Sequence, residues 1–144
     1  MKLSIFATTL VWAFALSATV DNANAAQRTA CQILPAATVQ TILGFPVMTS
    51  GPGAVPTVGN GVTSYQCFYV GEAGGASLFI FYNATAALAS AQASTSIARL
   101  ERMGAGHGSS LAGSKGNIAF MVSVRNASDA GKLKALLAAA MRNS

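Results

Sequence analysis

Two cysteines, Cys31 and Cys67, constrain this chain more than any other pair of its residues. The first heads Cys-Gln-Ile-Leu-Pro-Ala-Ala-Thr-Val-Gln-Thr-Ile-Leu-Gly (31–44), which reads as a short amphipathic helix. Val39, Ile42 and Leu43 fall at the three-and-four spacing of one buried face, and Gly44 closes the helix. Pro35 suits the first turn, where a missing N–H costs nothing. The second cysteine lies 36 residues on, in an aromatic run over 64–70 that reads as a strand. A bond between them fixes the leading helix to the first strand. On the chain-entropy model, closing such a loop contributes about 4 kcal/mol.

A disulfide needs an oxidising compartment, and the start of the chain offers a route to one. Lys2 precedes a nearly unbroken apolar and small-residue run from Leu3 to Val20, and Ala23-Asn24-Ala25 fits a small-x-small cleavage pattern before Ala26. A membrane anchor is the competing reading. A spanning helix needs about 20 apolar residues, whereas this run is slightly short and carries Thr8, Thr9, Ser17 and Thr19. The expectation is a signal peptide over 1–25 and a single domain over 26–144, secreted or periplasmic, with no stable membrane span after cleavage. Lipidation is the rival use for Cys31. It is disfavoured because Arg28-Thr29-Ala30 stands where a lipoprotein signal places small apolar residues. The cysteine spacing also excludes a Cys-x-x-Cys exchange enzyme.

Charge narrows the range of partners. The chain carries a formal net charge of +5. From Ala26 onward its cations oppose only three carboxylates, Glu72, Glu101 and Asp129. The cations are scattered rather than gathered into the dense blocks of nucleic-acid-binding arms, so no nucleic-acid partner is expected. A diffuse attraction to anionic envelope polymers or lipid headgroups fits the sign.

Between the cysteines, 45–63 holds Pro46, Pro52 and Pro56 among several glycines and reads as irregular. It is also apolar. Phe45, Val47, Met48, Val55 and Val58 make it a candidate binding loop, the alternative being a spacer restrained by the disulfide. Two β-rich runs over 65–70 and 76–82 flank Gly71-Glu72-Ala73-Gly74-Gly75 and read as a hairpin. Leu78, Ile80 and Tyr82 share one face, while Phe79 and Phe81 share the other, which implies cover on both sides. Asn83 is the expected cap of an Ala/Ser/Thr-rich helix ending near Met103. A short strand over 109–112 and a turn over 113–117 lead to the clearest strand, Ile118 to Arg125. Ser128-Asp129 then opens a last helix with an apolar stripe of Leu133, Leu136, Leu137, Ala140 and Met141. The order helix–strand–strand–helix–strand–strand–helix predicts an α+β domain with an antiparallel sheet of about four strands.

Cys31-x-Ile-Leu-x-x-x-x-Val-x-x-x-Leu-Gly44, followed by a Gly/Pro loop and Cys67-Phe68-Tyr69, resembles a group of small bacterial envelope proteins of unknown function found among actinobacterial lipoproteins. The resemblance implies an envelope location and brings no catalytic residues with it. The chain departs from that pattern in lacking a cysteine directly after the leader. It also has Gly106-His107-Gly108-Ser109 where those proteins tend to place an acidic residue after Gly-x-Gly.

Residues able to do chemistry are few. His107 is the single histidine, set between glycines with no carboxylate as a close sequence neighbour, and it is the weak catalytic candidate. The Gly-x-Ser-x-Gly elbow is absent, and 108–115 lacks the Gly-Lys-Ser/Thr order of a phosphate loop. No cofactor and no metal are expected, since histidine pairs, cysteine clusters and acidic calcium loops are missing. The sequence therefore favours a non-enzymatic binding module for an envelope protein, lipid or wall polymer. A hydrolase or transferase using His107, or an inhibitor of a secreted enzyme, is the alternative.

Overall fold

The computed structural model describes residues 27–53, 61–102, 108–125 and 130–144. The expected leader, residues 1–25, lies outside them, as does the Ser128-Asp129 helix opening.

The leading segment forms two helices rather than one. α1 (Ala30–Ile33) is a single turn, and α2 (Ala36–Leu43) follows after a break at Leu34-Pro35. The cause is local. A residue before proline is pushed out of the helical region, and Leu34 takes φ −126° and ψ 87°. Pro35 becomes the N-cap of α2 instead of a first-turn residue of a longer helix. Gln32 closes the start of α1, its Oε1 accepting the Thr29 N–H at 2.8 Å. Gly44 ends α2 at φ 78°, its N–H donating to the Gln40 carbonyl.

Five strands follow: β1 (Thr49–Pro52), β2 (Thr63–Gly71), β3 (Gly74–Tyr82), β4 (Gly108–Lys115) and β5 (Ile118–Arg125). They make one antiparallel sheet in the order β1-β2-β3-β5-β4. The expected four strands become five because β1 lies within the segment read as irregular. Pro52 is tolerated there because β1 is an edge strand. β4 is also longer than 109–112. α3 (Ala86–Arg102) joins β3 to β4, and α4 (Ala130–Arg142) ends the chain.

Alternation along the strands sorts side chains into two cores. On one face, Cys67, Tyr69, Leu78, Ile80, Phe120, Val122 and Val124 pack with Ile33, Leu34, Val39 and Leu43 of the leading helices and Leu133, Leu136 and Ala140 of α4. On the other, Phe81 and Ala119 pack with Ala89 and Ala93 of α3. The sheet is thus a central layer, with α1, α2 and α4 on one side and α3 on the other. Residues such as Phe120 and Ile80 are wholly buried, and each such side chain contributes about 1.5–3 kcal/mol.

Asn83 is not the α3 cap. Its side chain is buried and its Nδ2 donates to the Phe81 carbonyl at 3.0 Å. Thr85 takes that role, its Oγ1 accepting the Leu88 N–H at 3.2 Å. The alanine-rich α3 lies directly on the sheet because its inward residues are small.

Candidate functional site

The corner where β1 meets β2 brings the candidate residues onto the structure. Cys31 and Cys67 form a disulfide, with Cα atoms 5.1 Å apart. This ties α1 to β2 beneath the sheet. Two residues beyond Cys67, the buried Tyr69 hydroxyl donates to the carbonyl of Leu34, the residue that ends α1, a second tie between β2 and the leading helices. Burial raises the Tyr69 phenol far above the usual tyrosine range. Tyr82 is also raised, chiefly by burial, and its hydroxyl donates to the Arg28 carbonyl at 2.9 Å. Tyr65 meets it edge to face, with ring centroids 6.0 Å apart.

The candidate loop divides by direction. Phe45 and Val47 are half-buried against the main core, and the Val47 N–H is held by Gln40 Oε1 at 3.2 Å. Those two serve packing. Met48 turns outward at 65% exposure, and its N–H donates to the Val70 carbonyl at 2.8 Å. Val70 is itself 49% exposed. Val55 and Val58 lie outside the described residues, as does His107.

Val70 and Phe68 belong to this site and are absent from the sequence-derived set. They share the sheet face opposite the disulfide, since Cys67 and Tyr69 point to the main core. α3 packs over β4 and β5 and reaches little of this end of the face. Phe68 is half-buried, with its ring against Gly51 of β1; a Cβ added there would stand 3.6 Å from Phe68 Cζ. The period-two pattern of β2 could have picked out Phe68 and Val70 once the opposite face was assigned to the core.

Three cations, Lys132, Lys115 and Arg28, reach backbone carbonyls at or just beyond helix ends. Lys132 Nζ donates to the Leu43 carbonyl at 2.8 Å, and Lys115 Nζ to those of Met141 and Ser144 at 2.7 and 3.2 Å. Arg28 reaches the carbonyls of Asn143 and Gln32. Such contacts answer the unpaired carbonyls and negative end of a helix. Among the described residues no three His, Cys, Asp or Glu side chains gather as a metal site would need. None of the described helices is long and apolar enough to cross a membrane.

No protein-family model matches the chain, and comparison with curated proteins and with solved structures finds no significant match to either.

Proposed function

We propose that this chain is an exported binding module of the cell envelope, akin to the actinobacterial lipoprotein-like proteins it resembles. It engages a protein, lipid or wall polymer through the corner formed by Met48, Val70 and Phe68. One observation carries this reading. Two exposed apolar residues, Met48 and Val70, are joined through the backbone, the Met48 N–H donating to the Val70 carbonyl, on a disulfide-braced framework. Contiguous exposed apolar surface marks interaction sites, whereas singly scattered apolar residues do not. The disulfide supports an extracytoplasmic setting, and the diffuse positive charge adds attraction to anionic envelope components.

The test compares the native protein with Met48→Ser and Val70→Ser, singly and together, for retention on envelope fractions and on vesicles of anionic lipid. The double variant should keep its melting temperature and lose most of its retention. Undiminished retention would remove this corner from the account. Separating protein-bearing from protein-free vesicles identifies which class of partner is bound.

A further inference from the structure

The two edges of the sheet are built differently. The turn Glu72-Ala73 joins the pair Gly71–Gly74, and a two-residue turn closes on a hydrogen-bonded pair. Alternation then directs the backbone groups of Gln66, Phe68 and Val70 toward β1. The Gly53 N–H donating to the Gln66 carbonyl at 3.2 Å agrees with that phase. On β1 the outward positions are therefore Ser50 and Pro52. Pro52 has no N–H to offer, and the strand is four residues long. A short edge carrying proline is a blunted edge.

β4 carries no such protection. The turn Gly116-Asn117 joins Lys115 to Ile118, so Lys115, Gly113, Leu111 and Ser109 bond to β5. Ser110, Ala112 and Ser114 point their N–H and C=O groups away from the sheet. The 2.7 Å contact between Ser110 Oγ and Ser123 Oγ fits this phase, because side chains approach most closely across a non-hydrogen-bonded pair. Among the described residues, no turn, loop or cap hydrogen bond engages the outer side of β4. The strand has eight residues, no proline and, before Lys115, no charge. The Lys115 ammonium is already held by the carbonyls of Met141 and Ser144.

We propose that β4 pairs antiparallel with β4 of a second copy about a twofold axis at Ala112, joining two sheets into one of ten strands. A strand edge is complementary to itself in this orientation, and the contact closes. Ala112 pairs with its equivalent, and Ser110 with the second copy's Ser114. All six outward N–H groups of the two strands then meet carbonyls. The register places the two lysines at opposite ends of the seam, roughly 20 Å apart at the usual strand rise, so like charges do not meet. α3 and α4 both pack against β4, on its two faces. The exposed α3 residues Ala91, Ser94, Thr95 and Ala98 are small. The hydroxyls of Ser94 and Thr95 already donate to the carbonyls of Ser90 and Ala91 at 3.2 and 2.8 Å. The seam is at the opposite edge of the sheet from the Met48–Val70 corner, so either idea can fail without the other.

Sedimentation equilibrium and hydrogen exchange on the protein as exported, across a dilution series, test this. The expected result is twice the monomer mass, with the Ser110, Ala112 and Ser114 amides slowed about tenfold or more in the dimer. Ala112→Pro removes an outward N–H without removing a bond to β5 and should give a folded monomer. Because Ala112 packs beside Phe81, Ser114→Pro serves as the second variant and should weaken the dimer. A monomer at every concentration overturns the proposal, as does a dimer whose three amides exchange freely. A β4 edge occupied only by a strand of another protein does so too.

Discussion

Replacing Tyr69 with phenylalanine separates the hydrogen bond at the disulfide corner from the packing around it. The ring is buried and its hydroxyl donates to the carbonyl of Leu34, itself 1% exposed. Phenylalanine keeps the ring and leaves that carbonyl in the interior without its donor, at a cost of about 1–3 kcal/mol. A pH signature accompanies the loss. Burial raises the phenol in the folded state, so the unfolded chain releases its proton first, near the ordinary value of 10.0. The Tyr69 contribution is therefore fully present below about pH 10 and declines above it, by up to about 1.4 kcal/mol per pH unit. Tyr69→Phe should remove most of this decline. Tyr82, raised less simply, leaves a shallower remainder. Urea unfolding at neutral and alkaline pH, with phenolate absorbance followed in parallel, reads both effects. Equal stability at neutral pH and an unchanged alkaline slope would refute the assignment of Tyr69 as a buried donor.

Other outcomes follow from the same geometry. Reducing the Cys31–Cys67 bond should lower unfolding free energy by up to about 4 kcal/mol, measured by denaturant titration with and without reductant. Gly71→Ala should destabilise by about 1–3 kcal/mol in the same titration. A Cβ there would press on the Pro46 carbonyl and stand 2.9 Å from the Phe45 ring. Thr85→Ala should cost about 1 kcal/mol through loss of the α3 cap, whereas Ala substitution of Asn83 should act instead through its buried bond to Phe81; thermal melts distinguish the two.

Where local pattern and packing agree, the elements are readable from sequence. The alternation Ile118-Phe120-Val122-Val124 gives β5, and the leucine stripe gives α4, because each lays a continuous apolar row on one core. β1 escapes such reading, since Thr-Ser-Gly-Pro has no apolar alternation and is held only by β2. The break at Pro35 is decided by a steric rule that acts on Leu34, while the three-and-four spacing runs straight across it. Asn83 and Thr85 are both good capping residues, and which one caps depends on where the strand end turns. The candidate loop was visible as an apolar segment. Its division into inward Phe45 and Val47 and outward Met48 depends on the β1–β2 register, which no residue type in the loop encodes. The pairing of β3 with β5 likewise rests on contacts distant in sequence.

Intact-mass analysis of the protein recovered from outside the cytoplasm, with thiol labelling before and after reduction, decides whether a covalent bond ties α1 to β2 in the exported chain. The expected species is a chain beginning at Ala26, two hydrogens lighter than its dithiol form, with Cys31 and Cys67 labelled only after reduction. Free labelling of both cysteines in the native exported protein, or retention of residues 1–25, would contradict it.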